Sequence, residues 1–473
     1  MVFSSYSFIF LFFPAVFLGF TLCARFWGRT AAKVFLIAAS LFFYGFGSIR
    51  FLPLLAGTML INYGFVTGLS KVRARGGAAR LILGLAFLEN IGLLVYYKYT
   101  NFLIETVNAV AGTDFTLRNI ILPLGISFFT FQILSYVVDV YRGRSKRSAF
   151  LDYAVFVTFF PQLIVGPIIR HDDMTPQLSD ERFGRPVARN MMLGTLIFAI
   201  GCAKKIILAD PLIAHAQNFY NVMGNGNFFE AWGAVFAYTF AYYFDFSGYT
   251  DMAIALGLFF NIRLPQGFDS PYKARNFADF WRRWNITVSQ FFEDYIFRSI
   301  FHFGDRIAKL ILATMATFLV SGLWHGAGWH YVLWGAVNGV LVCVANIMTL
   351  KRKKLPSWLA YPLTFLGILL VRVLFDANSV SQALAVYRTL ADIRPAFTAT
   401  RAFLQSGLAY LSSYPGIAAL LLAGMGLCFF APNTREIAER FEPRPRYAAY
   451  AGVLLTVSLF FMGRVSNFLY FQF

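Results

Sequence analysis

The chain has 473 residues, of which 58% are hydrophobic and 19% aromatic, while only 14% are charged. A soluble protein of this length has too little interior to hide that much apolar surface, so the composition excludes a soluble multi-domain enzyme and specifies a polytopic membrane protein. The 41 Lys and Arg against 23 Asp and Glu leave a net charge of +18, which in so apolar a chain reads as basic cytoplasmic loops and not as a nucleic-acid surface.

Apolar runs near membrane-spanning length fall at residues 8–24, 34–46, 51–69, 81–97, 119–141, 153–168, 191–208 and 231–246. Others follow at 253–262, 310–323, 331–348, 359–374, 417–430 and 447–461. The first run lacks the basic leader and small-residue cleavage site of a signal peptide, so it reads as a retained helix. Several runs are too short, or too interrupted by Gly and Pro, to cross alone. Irregular backbone at membrane depth needs protein or a water cavity to cover it. The expectation is an all-α membrane bundle of about eleven tilted transmembrane helices plus re-entrant or interfacial helices. It forms one domain over residues 1–473, richest in motifs across 153–340.

The loops orient the chain. Basic clusters occur at Arg25, Arg29 and Lys33, at Lys71, Arg73, Arg75 and Arg80, and at Arg142, Arg144, Lys146 and Arg147. Two more occur at residues 351–354 and at Arg435, Arg440, Arg444 and Arg446. Their alternation places the N-terminus outside the cytosol by the positive-inside rule, with residues 100–118 as an extracytoplasmic loop. The four cysteines, Cys23, Cys202, Cys343 and Cys428, lie singly in apolar runs and read as small core hydrophobes. No repeat of 20–50 residues and no matching pair of broken helices is evident, which argues against an inverted-repeat transporter.

Three segments carry residues that can do chemistry. In YYFDFSGYTDMAIALGLFF (242–260), Asp245 and Asp251 are costly carboxylates in apolar surroundings. At six residues' separation they stand about 120° apart on a helix, so they do not form a paired acid–base site. Asp245, Ser247 and Asp251 either touch substrate or serve structural hydrogen bonding at a helix break around Ser247 and Gly248. In NFADFWRRWNITVSQFFEDYIFRSIF (276–301), Trp281, Trp284, Val288, Phe291 and Tyr295 step by three or four, which predicts one amphipathic interfacial helix. Asn285 falls on or beside its apolar face, where an amide must face a cavity or brace another segment. Arg282 and Arg283 meet either the phosphates of a nucleotide-bearing donor or lipid headgroups.

The third segment, LVSGLWHGAGWHYVLWGAVNGV (319–340), holds His325 at the end of an apolar run, followed by Gly326. His330 lies five residues on, which is poor helical spacing for two metal ligands. HExxH and HxxxH are absent, so no metal site is expected. An intramembrane histidine is either a general base or a satisfied core residue.

FPQLIVGPIIR (160–170), YYFDFSGYTDMAIALG (242–257), FWRRWNITVSQFFEDYIF (280–297) and GLWHGAGWHYVLWG (322–335) together resemble the membrane-bound O-acyltransferase (MBOAT) family. Within it the chain is most similar to the bacterial alginate O-acetylation branch, including its opening MVFSSYSFIFLFFP and its ending FLYFQF. The resemblance implies a helical bundle around a central tunnel and acyl transfer from acetyl-CoA, used as a donor substrate, to a hydroxyl. It places the family's histidine on His325 and its second active-site position on Asn285, 40 residues upstream. The alginate branch carries RRWH where this chain has RRWN, and often a later histidine where this chain has Asn338. Both differences concentrate the chemistry on His325.

On this reading Arg282, Arg283 and Lys273 attract the phosphoadenosine end of the donor, and Trp284 and Trp324 wall the acyl group. The implied partners are acyl-CoA, the lipid bilayer, and an exported polysaccharide or an SGNH-type acetyltransferase partner, with the bacterial inner membrane as location. D-alanyl transfer to lipoteichoic acid is the alternative within the family. A transporter or flippase with an Asp245–Asp251 relay is the alternative outside it.

Overall fold

Helices dominate because the apolar runs must satisfy their own backbone hydrogen bonds once water is excluded. The computed structural model describes residues 1–73, 76–222, 226–464 and 469, and these contain helices joined by turns and loops, with no strand. Arg75 of the second basic cluster and the terminal FLYFQF, apart from Leu469, lie outside the described residues.

Among the described residues seven helical stretches are long and apolar enough to cross a membrane, or eight if the bent pair Thr400–Ser413 and Pro415–Phe429 counts as one span. Eleven were expected from the apolar runs. Part of the difference is length, since the Ile126–Tyr141 helix has 16 residues, about 24 Å, short of a hydrocarbon core of about 30 Å, and part is that the runs 8–24 and 34–46 fall in the one stretch Ser7–Gly47. The run at 153–168 breaks into the short helices Phe150–Thr158 and Phe160–Leu163. Residues 100–111 of the expected extracytoplasmic loop are helical, as Thr100–Ala111.

The chain divides into two compact units. The first comprises Met1–Gly201, Tyr249–Gln266 and Phe441–Leu454. Its opening stretch, Ser7–Gly47, doubles back at Gly28, whose φ of 83° suits a residue without Cβ. The two arms then face each other, with Phe12 packed on Phe42 at 6.1 Å and on Phe43 at 5.4 Å. Phe3, Phe8 and Phe160 complete that aromatic core. Around the turn, Lys33 pairs with Asp152 at 2.5 Å and Arg29 donates to the Ser179 carbonyl at 2.9 Å.

The second unit comprises Cys202–Gly248, Gly267–Arg440 and Leu455–Phe473. It contains the Ile307–His325 and Trp329–Leu350 helices, which form a tight antiparallel hairpin. A Cβ on Gly322 would stand 2.4 Å from the Tyr331 carbonyl oxygen, and one on Gly335 2.4 Å from that of Phe318. The two backbones therefore touch directly, the close approach that small residues permit between membrane helices.

Candidate active site

His325 is the last residue of its helix, because Gly326 turns extended before the next helix begins at Trp329. Thr314, Thr317, Ser321 and His325 follow a three-and-four spacing on that helix, and all four line one cavity of about 490 Å³. His325 is 7% exposed. Its ring is held edge-on by Trp324 at 4.9 Å, Trp334 at 5.1 Å and Phe375 at 5.1 Å.

Asn285 reaches the same cavity by a route that sequence spacing did not show. The expected single amphipathic helix is two short ones, Phe277–Arg283 and Ile286–Phe292, broken at Trp284 and Asn285. Asn276 caps the first by accepting the Asp279 N–H at 2.8 Å. The Ile286 N–H is captured by the Gly267 carbonyl at 2.8 Å, and the Arg283 carbonyl by the Asp269 N–H at 3.0 Å, so the helix cannot run through. Asn285 takes up the turn at φ 42° and ψ 57°, a left-handed conformation that Asn tolerates better than most residues. Its side chain is 6% exposed, makes no capping bond to the helix it precedes, and lines the cavity with His325.

A second, smaller cavity of about 40 Å³ adjoins the first, lined by aromatic side chains with Asn338 and Arg372. Trp281, Trp284 and His325 line both cavities. His325 thus stands in the wall between an open, partly polar space and a narrow aromatic one. Trp281 is fixed there by Asn338, whose Oδ1 accepts the indole N–H at 3.2 Å while its Nδ2 donates to the Trp334 carbonyl at 2.9 Å.

The other expected residues separate. Arg282 is exposed and lines the larger cavity. Arg283 is committed to Asp279 at 3.0 Å and to the Asp269 carbonyl at 3.2 Å, so the two arginines do not act alike. Lys273 donates to the Ala431 carbonyl at 3.1 Å and lines neither cavity. Trp284 lines both, whereas Trp324 packs behind His325 and against Phe292 at 6.0 Å. His330 is buried and lines neither.

Asp245 is held by Lys205 at 2.7 Å and accepts the Leu469 N–H at 3.0 Å, and Lys205 also reaches Asp210 at 2.7 Å. The expected break at Ser247 and Gly248 does not occur: Phe228–Phe259 is one helix. Ser247 is buried in it without lining either cavity, and Asp251 is buried within the first unit.

Sequence reasoning missed Arg372 and Asp376. They pair at 2.7 Å, and the guanidinium lies 3.3 Å from the Tyr242 ring centre and 4.8 Å from that of Phe375, the residue against His325. Opposite charges four residues apart in an otherwise apolar run were the available signal.

The chain matches the model of the MBOAT, membrane-bound O-acyltransferase family, over residues 86–371. It is 39% identical to the peptidoglycan O-acetyltransferase of Helicobacter pylori over 425 residues, covering 83% of this chain and 80% of that one. It is 35% identical to the probable alginate O-acetylase of Pseudomonas aeruginosa over 398 residues, covering 82% and 75%. A teichoic acid D-alanyltransferase of Bacillus subtilis matches at 29% over 259 residues, 51% of this chain and 63% of that one. The fold and the matches define a multi-pass membrane acyltransferase. This chain belongs to the MBOAT family, within which its relatives include the alginate and peptidoglycan O-acetylating proteins.

Proposed function

We propose that the protein moves an acetyl group from cytosolic acetyl-CoA to a hydroxyl of an exported polysaccharide, or of the extracytoplasmic SGNH-type carrier that serves it. The observation that carries this reading is the meeting of His325 and Asn285 on one cavity whose far wall, at His325, is shared with a second. Two spaces meeting at one imidazole suit a tunnel in which donor and acceptor arrive from opposite faces of the inner membrane. The names of the Helicobacter and Pseudomonas relatives support an O-acetyl product on a polysaccharide. The D-alanyl alternative draws on a relative matched over about half of the chain. The ion pair between Asp245 and Lys205 gives the transporter alternative no support.

In this mechanism His325 takes the proton of the acceptor hydroxyl as its oxygen attacks the thioester carbonyl. Asn285 donates a hydrogen bond to the carbonyl oxygen as charge develops there, from a position fixed before substrate arrives. The C–S bond breaks and the thiolate of CoA leaves with a proton. Arg282, exposed at the cavity rim, attracts the donor's phosphates, and Trp281 and Trp284 confine the acyl group.

The test is release of free CoA by purified protein. His325→Ala should lower turnover by about 10²–10⁴ at saturating acetyl-CoA, while the melting temperature in detergent stays near that of wild type. Full turnover by folded His325→Ala protein would remove the mechanism.

A further inference from the structure

The loop between the Ile126–Tyr141 and Phe150–Thr158 helices meets the start of the His171–Ser179 helix in an arrangement of side chains in the first unit that the His325 site does not use. His171 is 5% exposed and opens the His171–Ser179 helix, outside the membrane-spanning stretches. Its ring lies flat on Tyr136, with centroids 3.8 Å apart at 17°, and Phe156 meets it edge-on at 5.4 Å. Nδ1 is 2.9 Å from Asp172 Oδ1, and Nε2 is 2.8 Å from Ser148 Oγ.

Counting hydrogens gives each bond its direction. A carboxylate only accepts, so Nδ1 carries its hydrogen toward Asp172 and Nε2 is left as the acceptor. Thr175 Oγ1, 3.1 Å from Nε2, gives its hydrogen to the His171 carbonyl at 2.8 Å. Ser145 Oγ donates to Asp172 at 2.5 Å. The Ser148 hydroxyl is then the one that donates to Nε2. The Ser148 N–H donates to Tyr136 Oη at 3.0 Å, and Tyr136 Oη donates to the Lys146 carbonyl at 3.1 Å. One tyrosine thereby fixes both the serine backbone and the face of the imidazole.

We propose that Ser148, His171 and Asp172 form a second site, in which Ser148 is a nucleophile that accepts the acyl group of an ester or thioester borne on an anionic carrier. Nucleophile, base and orienting carboxylate stand at the distances and in the order that activate a serine. Burial lowers the His171 imidazole from its ordinary value against the pull of Asp172, which keeps the base neutral near pH 7. Arg144, Lys146 and Arg147 are exposed around it and attract an anionic carrier. The Phe150–Thr158 helix begins two residues after Ser148; the Asp152 and Tyr153 N–H groups there donate to the Ala149 carbonyl at 3.1 Å, so the Phe150 and Leu151 N–H groups are the ones offered to a developing oxyanion.

In the acylation step Ser148 Oγ bonds to the acyl carbon, its proton passes to His171 Nε2, the bond to the leaving thiol or alcohol breaks, and that group takes the proton. In the second step water attacks the acyl carbon and gives its proton to Nε2. The bond to Oγ breaks and Oγ recovers the proton, so the net change is hydrolysis of the ester or thioester to a carboxylic acid and the free alcohol or thiol.

The test uses full-length protein, an alkyl fluorophosphonate, and mass spectrometry of the labelled peptides, a readout that does not depend on whether His325 transfers acyl groups. Ser148 should be labelled in folded wild-type protein and the label absent from Ser148→Ala. Labelling should slow at least tenfold in His171→Gln. Asp172→Asn, at a half-exposed position, should slow it as well and serves if His171→Gln does not fold. Failure to label Ser148 in folded protein, or an unchanged rate in both variants, would overturn the proposal.

Discussion

Asn285 combines two demands that few side chains meet. Its backbone is left-handed, which costs most L-residues about 1–2 kcal/mol, and its amide faces the cavity shared with His325. Asn285→Ala would therefore mix backbone strain with loss of the donor. Asn285→Gly separates them, since glycine accepts the conformation freely and removes only the amide. We expect Asn285→Gly to keep its melting temperature and lose about 10²–10³ in kcat, the cost of one oxyanion-type donor. Asn285→His should retain measurable turnover, because histidine is also found in left-handed conformations and can donate one hydrogen bond. The check is kcat at saturating acetyl-CoA beside a thermal melt. Wild-type kcat in Asn285→Gly would show that the amide has no part in the chemistry.

At the scale of the element, the His325 hairpin depends on backbone contact at Gly322 and Gly335, and its aromatic wall on the helix Ser357–Asp376 beside it. The Arg372 and Asp376 side chains on that helix are 11% and 1% exposed and pair at 2.7 Å, with Phe375 in contact with both Arg372 and His325. Removing one member of a buried pair leaves the other charge uncompensated and costs about 3–5 kcal/mol, whereas replacing both with apolar side chains is often near neutral. Asp376→Asn should lower the melting temperature markedly. The double change Arg372→Met with Asp376→Leu should recover most of it yet turn over more slowly, because Phe375 loses the guanidinium packed on its face. Equal melting temperatures for the single and double variants would show that the two charges are not coupled.

At the scale of the whole molecule, the basic loops define an orientation that thiol labelling can check. Asp114→Cys lies in an exposed loop after the Thr100–Ala111 helix, and Lys353→Cys in the exposed basic turn after Trp329–Leu350. In intact cells a membrane-impermeant maleimide should label the first and spare the second, since cytoplasmic loops hold the excess of Lys and Arg. The reverse pattern would invert the chain and move the donor side to the other face. The native thiols interfere little, as Cys202, Cys343 and Cys428 are buried and Cys23 partly so.

Membrane class and the apolar runs were legible in the linear chain, because hydropathy is a local property that lipid reads directly, while His325 and Asn285 were singled out as candidates by the motifs that carry the family resemblance. Other features required the folded chain. The break at Asn285 exists because the Gly267 carbonyl, 18 residues before Asn285, takes the Ile286 N–H. The amphipathic period was real, but no periodicity contains that competing acceptor. Arg282 and Arg283 are equivalent in sequence, yet Asp269 and Asp279 hold only the second. Arg372 sat inside the run 359–374, whose mean hydropathy concealed it, and Asp376 just beyond its end; their place beside Phe375 follows from helix packing. Burial and partner choice depend on contacts between distant residues, so only the tertiary structure decided which polar groups face the cavity and which are spent holding the fold.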